Sequence, residues 1–162
     1  LGAWMLVVGG AAATPEAGEA RCREAVASGE ALKRFYANVE RQGGDLAKLA
    51  ALRGAWRSPH QAELRAESAG YIASIDAWKI GLAGVHLGVG RNTTADKVFP
   101  DVGFIFDKKK GDKVERGDLV ARVYGKDGES LKPAMELARA ALAVSPDAPA
   151  AAPLVLEELS AS

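Results

Sequence analysis

The chain has 162 residues, 48% of them hydrophobic, enough to bury a core for one domain with a helical appendage. Twenty-one Lys and Arg balance 21 Asp and Glu, so no basic excess points to nucleic acid and no clustered positive face points to a membrane surface. One cysteine, Cys22, excludes an internal disulfide framework and fits a reducing compartment; the expected location is the cytoplasm, with an organelle left open.

The opening apolar run, Leu1 to Ala13, imitates a signal peptide with an Ala-x-Ala end. It lacks an initiator Met and a positive start, and it is too short to span a bilayer. The adopted reading is the tail of a buried helix ended by Gly9-Gly10, in a chain cut from something longer. Thr14-Pro15-Glu16 then starts a helix to about Ala27, with a capping hydroxyl, a proline at the first helical position and an acid at the positive end of the dipole. Cys22 lies on it among Glu19, Arg21, Arg23 and Glu24. It reads as a structural thiol, since only His60 and His86 are available as a base.

Ser28-Gly29-Glu30 restarts the helix, and Leu32, Phe35, Tyr36 and Val39 form one apolar, core-facing stripe with a Glu30–Arg34 pair beside it. Gly43-Gly44 ends it. Residues 45–59 read as irregular and helix-prone, broken by Gly54 and Ser58-Pro59. The domain boundary is placed here: 1–58 as the helical tail of a larger α/β domain, 59–162 as a β-rich C-terminal domain.

Residues 61–66 and 71–75 alternate like strands around the turn Ser68-Ala-Gly70. Asp76 caps a helix over 77–87 with Trp78, Leu82 and Val85 as its apolar face; Gly81 and Gly84 cost stability there unless another backbone packs closely. Strands follow at 102–107, 114–115 and 119–124, with Lys108-Lys-Lys110 at a solvated hairpin tip. Asp127-Gly128 is a turn, and Ser130 caps a last helix whose face holds Ala134, Leu137, Ala138, Ala141 and Leu142. A proline-rich link through Pro153 leads to a closing strand, Leu154–Leu156.

Two segments carry the strongest signal: Glu63 to Asp76, and Gly111-Asp-Lys-Val-Glu-Arg-Gly-Asp118 running on to Val123. Each sets Gly or Gly-Asp beside short alternating apolar residues, as in a compact β-module of folded-over hairpins. The expected class is α+β: N-terminal helices, then a lipoyl/biotinyl-like barrel-sandwich module with a short internal helix and a C-terminal helix.

That module raises a carrier lysine. Lys126 lies nine residues after Gly117, where a biotinyl-type lysine stands about ten after. One residue of slip on a strand reverses the face, and Gly125 replaces the flanking Met or Asp, so attachment is set aside. Between the segments, Leu87-Gly-Val-Gly-Arg-Asn-Thr-Thr-Ala-Asp96 offers glycine amides and Arg91 for a phosphate, although its spacing is neither a P-loop nor a dinucleotide fingerprint. The alternative is a surface loop capped by Asn92 and Asp96. His86 reads as a core or rim histidine and His60 as linker; the scattered His, Cys and carboxylates match no metal-ligand spacing.

In order, Gln42-Gly-Gly-Asp45, Ser68-Ala-Gly-Tyr-Ile-Ala-Ser-Ile-Asp-Ala77, Ile80-Gly-Leu-Ala83, Leu87-Gly-Val-Gly-Arg91, Val102-Gly103, the Gly111–Asp118 motif and Ala148-Pro-Ala-Ala-Ala-Pro-Leu154 resemble the C-terminal third of the thymidine/pyrimidine-nucleoside phosphorylases. The resemblance implies a parent enzyme that splits a pyrimidine nucleoside with phosphate into base and (deoxy)ribose 1-phosphate. It implies a homodimer, phosphate as co-substrate and no cofactor or metal. It also implies a cleft-edge loop, ordering on closure, in which Arg91 touches substrate and Gly88 and Gly90 give flexibility. The family's phosphate-holding Lys-His-Ser and Gly-rich segment, and its pyrimidine-holding Arg, Ser and Lys, have no match in this sequence. No catalytic residue is therefore assigned. The 162 residues alone are expected to be inactive, a fragment whose partners are the rest of the phosphorylase chain, with no nucleic acid or membrane partner. The alternative is a non-catalytic structural or binding module derived from that family.

Overall fold

The computed structural model describes residues 1–91, 93–151, 153, 155, 157 and 159. The chain divides into two compact units, Leu1–Ala55 and the remainder from Trp56. Of the expected closing strand at Leu154–Leu156, Leu154 and Leu156 lie outside the described residues, and Val155 is exposed and in no strand.

The first unit is helical: α1 Gly2–Val8, α2 Pro15–Ala27, α3 Glu30–Arg41 and α4 Leu46–Leu52. Local chemistry sets the starts. Thr14 Oγ1 accepts the Ala17 amide at 3.3 Å, and Asp45 Oδ1 accepts those of Ala47 and Lys48 at 2.8 and 3.1 Å. Asp45 thus builds a helix in the stretch read as irregular and helix-prone.

Two burial expectations fail in this unit. The helix before Gly9 forms but contains no buried residue, because it packs on α2 with its other side open. The stripe on α3 is not a core face: Leu32, Phe35 and Tyr36 are 51%, 49% and 37% exposed. On that helix Glu30 pairs with Lys33, at 3.4 Å, one residue before the expected Arg34.

The second unit is α+β. It contains β1 His60–Arg65, β2 Gly70–Ile75, α5 Ala77–Leu87, β3 Gly103–Phe106, β4 Lys113–Val114, β5 Leu119–Gly125, α6 Gly128–Ala141 and β6 Leu142–Ser145. The strands form two antiparallel three-stranded sheets, β1-β5-β3 and β4-β2-β6. Odd strands make one sheet and even strands the other, so successive strands alternate between sheets. This corrects the picture of folded-over hairpins: β1 and β2, either side of the Ser68–Gly70 turn, do not pair. His60 opens β1 and is not linker.

The core is shared by both sheets and both helices. Leu64, Ile72, Leu87, Val114, Val120 and Val123 are fully buried, with Ala83, Ala134 and Ala138 packed among them. The buried side of α5 is Ala83, Gly84 and Leu87, while Trp78 is 75% exposed and Leu82 40%. Helices α5 and α6 pack on one another, and the side of α5 carrying Trp78 and Leu82 is not the side it buries. A Cβ on Gly81 would meet nothing within 4 Å, and one on Gly84 would make ordinary contact with Val89, so neither glycine answers to a close backbone.

At α6 the cap is Asp127. Its Oδ1 accepts the Ser130 amide at 2.7 Å, and Ser130 is the third helical residue, whose hydroxyl completes the capping box. Leu142, expected on the helix, begins β6 directly after it and pairs with Ile75.

Candidate functional site

The Gly-rich loop starts where α5 ends. Gly88 adopts φ +105 as the helix C-cap, and its amide donates to the carbonyls of Gly84 and Val85, both at 3.1 Å. Phe99 N donates back to the Gly88 carbonyl at 3.0 Å, and Lys126 N donates to that of Leu87, also at 3.0 Å. A Cβ on Gly88 would lie 3.0 Å from Phe99 Cδ2 and 3.5 Å from the Lys126 stem. Gly88 is therefore a buried junction of three segments, and its amide is committed to the helix.

Between Gly88 and Phe99 the chain makes an excursion closed at its base. The Asp96 carboxylate holds it from within, accepting the Thr93 amide at 2.9 Å and the Thr93 hydroxyl at 3.0 Å. The Asp96 half of the expected loop cap is thus formed, while Asn92 lies outside the described residues. Lys97 Nζ stands 5.3 Å from the centre of the Phe99 ring. Arg91 is exposed on the excursion and Gly90 is half-buried, where a Cβ would meet Val85 Cγ2 at 3.2 Å.

Sequence reading missed the support beneath this loop. Ser58 is 6% exposed; its hydroxyl donates to the Gly125 carbonyl at 2.6 Å and accepts the His60 amide at 3.1 Å, while its own amide donates to Asp101 at 2.9 Å. One serine so ties the entry to β1, the return of the loop and the end of β5. The only available signal was Ser58-Pro59 immediately before a strand, read as a breaker.

The ionisable groups nearby fit a scaffold. The Asp127 carboxyl sits below the usual aspartate range, first because the Ser130 amide donates to it, with the Ser130 hydroxyl and the charges of Lys126 and His60 adding to the effect. Lys126 is exposed at the β5–α6 corner and His86 is exposed on the last turn of α5. Among the described residues no group of three His, Cys, Asp or Glu converges as a metal site, and no helix is long and apolar enough to cross a membrane.

Residues 71–145, from the second residue of β2 to the last of β6, match the family described as the pyrimidine nucleoside phosphorylase C-terminal domain. Over these residues the chain is similar to the C-terminal domain of the pyrimidine-nucleoside phosphorylases. Among curated relatives, the pyrimidine-nucleoside phosphorylase of Staphylococcus haemolyticus (strain JCSC1435) is 34% identical over 124 residues, covering 76% of this chain and 29% of that protein. The pyrimidine-nucleoside phosphorylase of Staphylococcus aureus (strain USA300) is 35% identical over 124 residues, with the same coverage. The chain thus spans 29% of the length of these phosphorylases. The domain that the Gly-Asp strands and the Gly-Val-Gly-Arg loop resemble is the one the match names.

Proposed function

We propose that this chain serves as the C-terminal domain of a pyrimidine-nucleoside phosphorylase, and that its 162 residues alone do not turn over substrate. In the reaction of such an enzyme a phosphate oxygen bonds to the anomeric carbon of the pentose. The bond from that carbon to the pyrimidine nitrogen breaks, its electron pair leaves with the base, and the base takes up a proton. This step needs phosphate and base held in register against a cationic sugar. The family's Lys-His-Ser phosphate segment has no counterpart in this sequence. The match over residues 71–145 carries the proposal.

In this reading the domain contributes a cleft edge. Gly88 fixes the base of the 88–99 excursion, Gly90 lets it bend, and the exposed Arg91 reaches substrate oxygens when the enzyme closes. Alternation of strands between two antiparallel sheets supports a barrel-sandwich architecture. The assembled enzyme is a cytoplasmic homodimer that uses phosphate and a pyrimidine nucleoside and needs no resident cofactor. A second reading, a non-catalytic module built from this domain, rests on the same missing phosphate segment.

The test is complementation. The purified chain is assayed by ultraviolet absorbance for phosphate-dependent release of thymine or uracil. The assay is repeated after joining the chain to the preceding part of the Staphylococcus aureus enzyme in place of its own C-terminal domain. No release by the chain and restored release by the chimera are expected. Turnover by the chain alone overturns its assigned inactivity. A folded chimera without activity overturns the phosphorylase role and leaves the non-catalytic module.

A further inference from the structure

Away from the 88–99 excursion, three arginines from three chain segments line one concavity of about 590 Å3. Arg65 comes from the end of β1, Arg116 from the turn before β5 and Arg139 from the last turn of α6. A neighbouring hollow of about 170 Å3 shares Arg65 and Arg139 and reaches Leu142 and Val144 of β6. Arg65 is held in place where the pairing of β1 with β5 shifts register. Its Nε and Nη2 donate to Glu63 at 2.9 and 2.5 Å, and its Nη1 donates to the Gly117 carbonyl at 2.7 Å. Glu63 therefore neutralises Arg65, whereas Arg116 and Arg139 join no ion pair among the described residues.

We propose that this groove binds a phosphate group. Guanidinium forks pair best with oxyanions. Donors arriving from three segments suit a tetrahedral phosphate, whose oxygens point in several directions, better than a flat carboxylate. Glu67 lines the same concavity. Three arginines against Glu63 and Glu67 leave one net positive charge, so binding is weak and salt-sensitive. Glu67 is also an acceptor for a hydroxyl beside the phosphate, which makes a hydroxylated phosphomonoester and free inorganic phosphate the two sources of the same group.

The 162-residue chain, labelled with 15N, is titrated with inorganic phosphate and separately with ribose 5-phosphate, at low ionic strength held constant with chloride. Saturable amide shifts around residues 65–68, 116–117 and 139 are expected. Combining Arg116→Ala with Arg139→Ala weakens binding about tenfold or more, as loss of a charge-assisted bond predicts, while Arg41→Ala, outside the groove, changes nothing. Tighter binding of ribose 5-phosphate assigns the ester as the source; equal binding assigns free phosphate. Linear shifts without saturation, or the same affinity in the double variant with its spectrum otherwise intact, overturn the proposal.

Discussion

Asp112 and Asp118 close two turns that repeat one another bond for bond. The Asp112 carboxylate accepts the Lys109 amide at 2.7 Å and that of Asp118 accepts the Glu115 amide at 2.9 Å. Gly111 N donates to the Ile72 carbonyl at 2.8 Å while Ile72 N donates to Asp112 at 3.0 Å; Gly117 N and Asp118 treat Ala66 the same way, at 2.8 and 2.9 Å. Each Gly-Asp pair therefore clasps one residue, Ile72 in β2 and Ala66 just beyond β1. The motif Gly111-Asp-Lys-Val-Glu-Arg-Gly-Asp118 is two equivalent corners joined by the short strand β4.

Equivalence predicts equal sensitivity. Gly111 and Gly117 take φ of +94 and +92, and a Cβ on either would meet nothing within 4 Å. Alanine at either position then costs only backbone strain, about 1–2 kcal/mol. Urea unfolding of Gly111→Ala and Gly117→Ala should show matched losses in midpoint with an unchanged slope. A loss at one glycine alone would mean that the two corners do not carry equal weight.

Ser58 gives a sharper prediction, because its hydroxyl both donates and accepts while buried. Ser58→Ala leaves the Gly125 carbonyl and the His60 amide each short of a partner, which costs about 1–3 kcal/mol. The midpoint of urea unfolding, followed by the far-ultraviolet signal of the second unit, reads this directly. A change within about 0.5 kcal/mol, the range of ordinary surface substitutions, would show that water replaces the hydroxyl without loss.

The contrast between Asp76 and Leu142 shows what was legible in the sequence. Asp76, like Thr14, acts within one turn of chain, and its carboxylate takes the Trp78 and Lys79 amides at 3.0 and 3.1 Å, as its position before an apolar helix implies. Leu142 continues the apolar spacing of α6, yet it belongs to β6, because pairing with Ile75 across the sheet outweighs the local pattern. Trp78 misled for a related reason: size marks hydrophobicity, whereas the side that α5 buries holds Ala83, Gly84 and Leu87. At the loop, glycine spacing located the segment. Ser58 stayed hidden because its partners, Asp101 and Gly125, are remote in sequence and unremarkable in type.

Gly125 is a test of packing rather than of backbone freedom. A Cβ there would lie 2.5 Å from Ser130 Oγ, 3.0 Å from the Asp127 carbonyl oxygen and 3.1 Å from Leu131 Cδ2. Gly125→Ala must push the capping box away from the end of β5, at a cost of about 1–3 kcal/mol. Gly128→Ala, where a Cβ meets nothing within 4 Å, should be neutral or stabilising. A thermal melt of both variants decides it, and equal melting temperatures would refute a steric requirement at Gly125.

Acid sensitivity should trace to the helix-capping aspartates of the second unit, Asp76 and Asp127. Asp76 is lowered below the ordinary aspartate value first by the Lys79 amide, and Asp127 first by that of Ser130. In the unfolded chain both titrate near about 3.9. A carboxyl lowered by folding binds its proton more readily in the unfolded state, so its contribution is complete above the unfolded value. That contribution is lost as pH falls from there through the lower folded value. Stability is thus level in this respect near neutrality and declines below about pH 4. Asp76→Asn and Asp127→Asn keep a capping oxygen but remove the titration, so the double variant should lose less stability than the parent between about pH 5 and about pH 2. Urea midpoints across that range measure the difference. Parallel pH profiles for variant and parent would assign the acid sensitivity to other carboxylates.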